Sequence, residues 1–210
     1  MKKALFAEFL GTFLLLLAGA GSIIVGKVDL LGVALAHGLA IFVAATALGA
    51  ISGGHFNPAI SLAFFATKRI SGKDLVLYIV SQLAGATVAS LLLKWIFDGT
   101  STPGFTTATS TQALVAEAVA TATLALVIWG SAVDTRNNAG GLAPLAIGLT
   151  ITANIMTFGP LTGAALNPAR WFGPALVAGS WNNAWVYIVG PSLGAIVAAL
   201  SYEYFVDAKK

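Results

Sequence analysis

A short sequence that can present hydrogen-bond donors to a small polar molecule occurs twice in the chain. Asn57-Pro58-Ala59 lies in the first half, and Asn167-Pro168-Ala169 begins 110 positions later in the second half. Asn is a strong helix N-cap, and Pro fits the first helical position because no intrahelical donor is needed there. Each copy therefore predicts the start of a helix with a carboxamide at its N-terminus.

The helices that begin at these two sequences are predicted to be too short to cross a membrane. The apolar runs at residues 59–66 and 171–177 give each helix about 10 residues, whereas a spanning helix needs about 20. Short apolar segments in corresponding positions of two halves indicate a binding or conduction site in an inverted-repeat membrane protein. A pair of turns at the membrane surface is the alternative, but the motif repeats together with its flanking segments, which argues against it.

Two carboxylates lie within segments that are otherwise apolar enough to cross a bilayer. They occur as Ala7-Glu8 and Ala116-Glu117, one in each half of the chain. A charged side chain at the centre of a spanning helix costs about 2.5–3.5 kcal/mol, so such a residue indicates a function. One possibility is a proton relay in a transporter. The other is a structural brace that accepts hydrogen bonds from loop amides, and the equivalent placement of the two glutamates favours the brace.

The sequence does not predict an enzyme, a cofactor or a metal site. It contains no cysteine, which excludes disulfides and thiolate ligands, and it shows no nucleophile–base set and no cluster of metal ligands. The net charge of +3 is attributed to basic residues that flank membrane spans. We therefore predict no nucleic-acid partner.

The elements that must position these residues are membrane helices. Hydrophobic residues make up 58% of the 210 residues and charged residues 9%, against about 25% charged in soluble domains. Six spans are predicted, at residues 4–25, 31–51, 75–97, 112–133, 142–158 and 184–205. The first could instead be a cleaved signal peptide ending near Ala18-Gly19-Ala20, but its full spanning length and Glu8 argue against cleavage.

The chain is predicted to be one membrane domain, residues 1–210, built from internal repeats at about residues 4–98 and 112–206. Tyr78-Ile79-Val80 in the first half matches Tyr187-Ile188-Val189 in the second. Because each half has three spans, an odd number, the second half enters the membrane from the opposite side. The two half-helices are therefore expected to meet near the midplane. A polar linker at residues 98–110 joins the halves, and a tight turn is predicted at residues 134–141.

Basic residues predict the orientation of the chain in the membrane. With the N-terminus inside, the inner side carries Lys2, Lys3, Lys68, Arg69, Lys73, Arg136, Lys209 and Lys210. The outer side carries Lys27 and Lys94. Since Lys and Arg are enriched in cytoplasmic loops, both termini are predicted to face the cytoplasm.

Together these features resemble the aquaporin (major intrinsic protein) family over essentially the whole chain. The resemblance rests on the two Asn-Pro-Ala boxes, on Ser52-Gly53-Gly54-His55-Phe56 before the first, on Arg170 after the second, and on the repeated Ala-Glu. It implies an all-α integral membrane protein with six transmembrane helices and two re-entrant half-helices around one pore per subunit. It also implies a homotetramer, and we expect a prokaryotic inner or plasma membrane.

The resemblance implies a passive channel in the lipid bilayer for water and small neutral solutes. Each half-helix N-terminus carries roughly half a positive charge, which adds to the desolvation barrier for cations. Asn57 and Asn167 are expected to donate to a passing water molecule, which must then point its hydrogens outward and interrupt a proton wire. Backbone carbonyls along the rest of the path are expected from Gly53, Gly54, His55, Gly163, Ala164 and Ala165, since irregular backbone at this depth must line a cavity or be buried.

Four positions of the family's outer constriction correspond to His37, Ile155, Ala164 and Arg170. Strict water channels carry an aromatic residue at the first position and a histidine at the second. The pair found here resembles plant tonoplast members, which are associated with ammonia as well as water. The alternative for His37 is a histidine packed on an apolar helix face, and His55 is expected to brace its loop.

Three residues leave the solute range open. Trp171 stands where the family usually has a small or acidic residue, Ala175 is of the water-channel type, and Ile188 stands where water channels usually carry Trp. We expect a channel for water that also passes ammonia. The alternatives are a glycerol or urea facilitator of the same fold and a proton-coupled transporter that uses Glu8, Glu117 or His37.

Overall fold

The chain forms a bundle of helices in the computed structural model, which describes residues 1–99, 109–137 and 140–206. The α-helices in these residues are α1 (Lys2–Val25), α2 (Leu30–Ser52), α3 (Pro58–Ala66), α4 (Gly72–Ile96), α5 (Ser110–Ile128), α6 (Ala143–Thr162), α7 (Pro168–Ala178) and α8 (Ala184–Val206). A π-helical turn (Trp129–Val133) follows α5, and a 3-10 turn (Gly140–Leu142) precedes α6. Lys209, Lys210, most of the linker at residues 98–110 and residues 138–139 of the predicted turn lie outside the described residues.

Six helices are long and apolar enough to cross a membrane: α1, α2, α4, α5 with its π turn, α6 and α8. The other two, α3 and α7, have only 9 and 11 residues. The predicted fold class, six spanning helices and two half-helices, is confirmed.

Most helix ends lie within three residues of the predicted spans, and two larger differences occur in α6 and α5. The fifth span was expected to end at residue 158, but α6 continues past Pro160 to Thr162. Proline lacks the N–H that an interior residue donates, and here the loss is confined to the last turn, where the Gly163 N–H still donates to the Gly159 carbonyl (2.8 Å). The fourth span was expected to be one regular helix, but it changes to π geometry at Trp129.

Each half-helix packs mainly against the last helix of the other half of the chain. Helix α3 contacts α8, and α7 contacts α4. Within the halves, α1 contacts α2 and α4, and α5 contacts α6 and α8, while α2 and α6 contact each other across the halves. This exchange of half-helices brings both Asn-Pro-Ala boxes to the centre of the molecule.

Glycine allows a close helix contact between the two halves, where α2 crosses α6. A Cβ atom on Gly38 would overlap the Gly148 carbonyl oxygen and the Thr152 hydroxyl, and one on Gly148 would overlap the Gly38 carbonyl oxygen. The Thr152 hydroxyl donates to the Ala34 carbonyl across the same crossing (3.2 Å). Backbones that approach this closely are typical of membrane helix packing through small residues.

Gly38→Ala should therefore destabilise the protein, because the added methyl group forces α2 and α6 apart. We expect a loss of about 1–3 kcal/mol in the free energy of unfolding, the usual cost of overpacking. Gly49→Ala is the matched control, since Gly49 lies on the same helix and a Cβ there would meet nothing within 4 Å. Thermal unfolding in detergent, followed by circular dichroism, measures both variants. Equal shifts in the two midpoints would contradict this account of the crossing.

Candidate functional site

The two Asn-Pro-Ala boxes are joined by reciprocal hydrogen bonds at the centre of the molecule. Asn57 Nδ2 donates to the Leu166 carbonyl (2.8 Å), and Asn167 Nδ2 donates to the Phe56 carbonyl (2.8 Å). Each Oδ1 caps its own half-helix by accepting from the alanine two residues on, at 2.9 Å in both cases. A carboxamide nitrogen carries two hydrogens, so the cross-link uses one and leaves the second for a solute.

A cavity of about 190 Å³ lies beside the asparagine pair. Its polar side is formed by the two loops, the asparagines and Arg170, and its other walls are apolar. The lining residues are Leu15, Ile41, Ala45, Gly53, Gly54, His55, Asn57, Ile60, Phe64, Leu124, Ile128, Ala132, Val133, Ile147, Ile151, Ala164, Ala165, Leu166, Asn167 and Arg170. No carboxylate is among them. Since a water molecule takes about 30 Å³ in the liquid, the cavity has room for several.

The Glu8 carboxylate holds the first loop. It is fully buried, and Oε1 accepts from the Ser52 hydroxyl (2.6 Å) and the His55 N–H (3.0 Å). Oε2 accepts from the Phe56 N–H (2.7 Å) and from Gln82 Nε2 (2.7 Å). Four donors therefore saturate a carboxylate on α1 and fix the backbone that leads to the first box.

The Glu117 carboxylate holds the second loop in the same way. It is also fully buried, and Oε1 accepts from the Thr162 hydroxyl (2.7 Å) and the Ala165 N–H (2.8 Å). Oε2 accepts from the Leu166 N–H (2.8 Å). A tyrosine adds a further tie in each half: Tyr78 donates to the Ser52 carbonyl (2.7 Å), and Tyr187 donates to the Thr162 carbonyl (2.8 Å).

These contacts hold backbone that would otherwise be unfavourable. Phe56 and Leu166, the residues before the two asparagines, have φ of 47° and 54°. Ala164 has φ of 45°, at the position that Gly54 fills in the first loop. Residues other than glycine rarely adopt this left-handed backbone conformation. The loop geometry therefore depends on the glutamate bonds rather than on local preference.

The first loop carries a polar network that the second loop lacks. The Ser61 hydroxyl accepts from Gln82 Nε2 (3.0 Å) and bonds His55 Nδ1 (3.0 Å), and the His55 ring lies 5.2 Å from Tyr78. In the second half the positions equivalent to His55, Ser61 and Gln82 carry Ala165, Trp171 and Pro191. There the Trp171 ring stacks on Tyr187 at 5.5 Å. An aromatic ring thus supports each loop, but it comes from the loop in one half and from the half-helix in the other.

The four residues predicted for the outer constriction fall into two pairs. Ala164 and Arg170 line the cavity, and the Arg170 Nε is buried without a hydrogen-bond partner among the described residues. His37 and Ile155 are almost fully buried, 1% and 2% exposed, and are not among the cavity-lining residues. His37 Nδ1 bonds the carbonyl of Val33 in its own helix (2.8 Å).

The other predicted residues are placed as follows. Of the residues expected to provide carbonyls, Gly53, Gly54, His55, Ala164 and Ala165 line the cavity. Gly163 is not among the lining residues and instead ends α6 with φ of 80°. Pro58 and Pro168 are the first residues of α3 and α7. No group of three metal-ligating side chains occurs in the described part of the chain.

Five residues that bond the two glutamates or the loop carbonyls beside them had been given no role from the sequence: Ser52, Tyr78, Gln82, Thr162 and Tyr187. Four of them carried a usable signal. Ser52 and Thr162 are hydroxyl residues 110 positions apart, and the two tyrosines are 109 apart, which are the spacings of the asparagine and glutamate pairs. Gln82 carried no such signal, because its equivalent position is proline.

Comparison with known proteins identifies relatives over nearly the whole chain. The sequence profile of the major intrinsic protein family matches residues 1–202. The chain is 43% identical over 209 residues to Aquaporin NIP1-1 of Zea mays, covering 96% of this chain and 74% of that protein. It is 43% identical over 223 residues to Probable aquaporin TIP3-2 of Arabidopsis thaliana, covering 97% of this chain and 84% of that protein.

A solved structure shows the same fold. The X-ray structure of the aquaglyceroporin from Plasmodium falciparum matches with a TM-score of 0.88 at 27% identity, covering 98% of this chain and 96% of that one. The resemblance inferred from the sequence is confirmed, and membership of a channel family supports passive transport of water or other small neutral solutes. The chain is a multi-pass integral membrane protein that belongs to the major intrinsic protein family.

Proposed function

We propose that the chain is a passive channel that conducts water past Asn57 and Asn167 and also conducts ammonia. The observation that carries this proposal is the crossed asparagine pair, which lines a cavity and keeps one amide hydrogen of each residue free for a solute. A water molecule that accepts from both amides must direct its own hydrogens away from them. A chain of waters then changes hydrogen-bond direction at this point, so it cannot relay protons through it.

The charge distribution around the cavity opposes cations. Two helix N-termini meet at the asparagines, and each carries roughly half a positive charge. Arg170 adds a full charge to the lining. A cation must also lose its hydration shell, which costs tens of kcal/mol in the Born limit. With no carboxylate in the lining to offset these terms, we propose that the channel excludes ions.

The contacts of Glu8 and Glu117 support the bracing role over a proton relay. Both carboxylates are fully buried, neither lines the cavity, and each accepts three or four hydrogen bonds from its loop and neighbours. A relay group needs a route to exchange its proton with the solute path. These glutamates are instead surrounded by donors, which favours a channel over a proton-coupled transporter.

We propose that His37, Ile155, Ala164 and Arg170 form the outer selectivity filter. Arg170 can donate to a passing solute, since its Nε–H has no partner among the described residues. Ile155 and Ala164 leave the facing wall apolar. Such a wall adds little to the free energy of water passage as long as Arg170 still hydrogen-bonds the passing molecules. It favours passage of a less strongly hydrated solute such as ammonia. His37 lies against Gly19, where a Cβ would overlap its ring, so its position depends on that glycine.

A glycerol or urea facilitator is the second candidate. The structural match to a protein named as an aquaglyceroporin favours it, as do Trp171 and Ile188, which depart from the water-channel pattern. Ala175 and the relatives named as aquaporins favour water. Solute permeability decides between the two.

Assembly and orientation are part of the same proposal. We infer a homotetramer from the family resemblance and cytoplasmic termini from the distribution of basic residues. We propose a prokaryotic inner or plasma membrane as the location. Trp95 near the end of α4 and Tyr204 and Phe205 near the end of α8 are about four-fifths exposed. Exposed aromatic residues at helix ends are typical of membrane–water interfaces.

The channel proposal predicts rapid water flux with low temperature dependence. Proteoliposomes should shrink in an osmotic gradient faster than protein-free liposomes, with an activation energy near that of water self-diffusion, because no conformational cycle is needed. They should also hold a pH gradient. Stopped-flow light scattering with osmotic, ammonia, glycerol and urea gradients measures the solute range. Steep temperature dependence or loss of the pH gradient would exclude a passive water channel.

The bracing role predicts that stability and water permeability depend on the hydroxyl of Thr162 and not on its methyl group. Thr162→Val leaves the Ala164 N–H without its acceptor and removes one of the three donors to Glu117. It should lower the free energy of unfolding by about 1–3 kcal/mol. Water permeability at equal protein content should fall several-fold. Thr162→Ser is the matched control and should behave like the parent, since Ser52 makes the same bonds in the first half. Equal losses in the two variants would refute the role of the hydroxyl.

The filter proposal predicts that Ile155→His separates water from ammonia. The histidine should make a narrower, polar constriction opposite Arg170, keeping water flux within a few-fold while reducing ammonia flux much more. Ile155→Leu conserves volume and should leave the ratio near that of the parent. Both fluxes are measured on the same liposomes. Absence of ammonia flux in the parent, or a proportional fall of both fluxes, would show that the filter assignment is wrong.

A further inference from the structure

The cavity extends to the end of α5, where the chain departs from α-helical geometry. The π turn Trp129–Val133 ends with a bond from the Asp134 N–H to the Trp129 carbonyl (2.8 Å). A turn closed by i→i+5 bonds holds more residues than the about 3.6 of an α-helical turn. Two adjacent residues of this turn, Ala132 and Val133, both line the cavity, and Ala132 is exposed. We call this end of the cavity the π-turn mouth.

Three side chains hold the π turn from behind, and we call them the clamp: Arg69, Trp129 and Glu203. Trp129 is fully buried, and its indole N–H donates to Glu203 Oε1 (3.1 Å). The same oxygen accepts from Arg69 Nε (2.8 Å) and lies 2.7 Å from Arg69 Nη2. Arg69 follows α3, and Glu203 lies near the end of α8. The clamp therefore joins the first half-helix, the π turn and the last helix.

The clamp also touches the cavity wall through a series of rings. The Trp129 ring lies 4.7 Å from the ring of Phe64, which lines the cavity. Phe64 in turn lies 4.2 Å from the ring of His55 in the first loop. Trp129 thus positions the cavity wall on two sides, through Phe64 on α3 and through Val133 on its own π turn.

The end of the π turn has its own set of contacts. The Tyr202 hydroxyl donates to Asp134 Oδ2 (2.8 Å), and Arg136 donates to both Asp134 oxygens (2.9 and 2.6 Å). These Arg136 bonds hold the pKa of the Asp134 carboxyl well below its usual range. Asn137 Nδ2 donates to the Gly130 carbonyl (2.6 Å), within the π turn. The irregular turn is therefore hydrogen-bonded to its surroundings at both ends.

Comparison of the two halves shows that the fold does not require this arrangement. The positions equivalent to Arg69, Trp129 and Glu203 in the other half carry Gly179, Ala20 and Lys94. Helix α1 continues as an α-helix to Val25 through the region that corresponds to the π turn. Contacts shared by both halves build the common framework. Among the described residues, this partly buried ion pair and the π turn have no counterpart at the equivalent positions of the other half. Such a difference indicates a task specific to this end of the cavity, and π turns are frequent at functional sites.

We propose that Phe64 and Val133 form a second, size-selecting element at the π-turn mouth, and that Arg69, Trp129 and Glu203 are positioning residues that hold it in place. The proposal rests on the proposed function, because it takes the cavity as the solute path. Phe64 and Val133 offer no hydrogen bonds to replace a solute's hydration. The mouth therefore discriminates by size and hydration, admitting water and ammonia and slowing polyols such as glycerol.

Truncation of Val133 tests the element directly. Val133→Ala should raise the ratio of glycerol to water permeability several-fold in proteoliposomes, because it widens the mouth without adding a polar group. Val119→Ala is the matched control on the same helix, since Val119 faces away from the core and is 48% exposed. It should leave the ratio unchanged. An unchanged ratio in Val133→Ala would overturn the proposal.

Trp129→Phe tests the clamp separately, because it keeps a smaller aromatic ring beside Phe64 and removes the donor to Glu203. A loosened clamp should raise the glycerol-to-water ratio while water flux is largely retained. If the two permeabilities fall in proportion, Trp129 acts only in folding and the positioning role is wrong.

A cysteine at the mouth gives an independent measurement. The chain contains no cysteine, so in Val133→Cys a methanethiosulfonate reagent attaches at that position alone. Attachment should reduce both water and glycerol flux, and Val119→Cys should be insensitive. Failure of the reagent to reduce flux in Val133→Cys would overturn the proposal.

If the parent shows no water permeability above protein-free liposomes, the proposed function itself fails. If the parent is permeable and Val133→Ala and Trp129→Phe leave the ratio unchanged, only this inference fails.

Discussion

Two stretches of non-helical backbone, residues 53–57 and 163–167, lie at the centre of a membrane protein, where lipid can satisfy none of their hydrogen bonds. An unsatisfied backbone group in such surroundings costs several kcal/mol, so each must find a partner within the protein or in a watery cavity. Glu8 and Glu117 meet much of this demand, accepting from two backbone amides in each loop. Burial of the two carboxylates is the condition on which the rest of the site depends.

The same constraint explains why the two loops are cross-linked rather than merely adjacent. The glutamates satisfy the amides before each asparagine, but the carbonyls of Phe56 and Leu166 still need donors. Asn167 and Asn57 supply these donors from the opposite loop, at 2.8 Å in each case. Each half therefore completes the hydrogen bonding of the other. The carboxamides cannot rotate freely, and a fixed direction of their remaining hydrogens is what an oriented water molecule requires.

The sequence predicted the parts of this arrangement that combine a strong local preference with repetition. Asn57 and Asn167 are N-caps followed by proline, and Glu8 and Glu117 are charges in apolar segments, so each residue indicates a role on its own. The π turn was not predictable in this way. Trp129 has no preference for π geometry, and its partner Glu203 lies 74 positions away. The position of His37 also depends on long-range packing. Its ring lies against Gly19 of α1, where a side chain would leave no room for it.

Comparison of the two halves distinguishes contacts that both loops need from contacts that occur in one loop alone. Ser52 and Thr162, like the two asparagines and the two glutamates, make matching bonds in both halves, since either loop would lose its backbone partners without them. The aromatic rings that support the loops come from different positions in the two halves. His55 packs near Tyr78, whereas Trp171 stacks on Tyr187, so the space beside each tyrosine must be filled but the origin of the ring is free to vary. The filling side chain also sets local polarity: His55 and Ser61 bring hydrogen-bonding groups to one loop, whereas Ala165 leaves an apolar surface on the other. Two loops of matching geometry can therefore give the two ends of one solute path different chemistry.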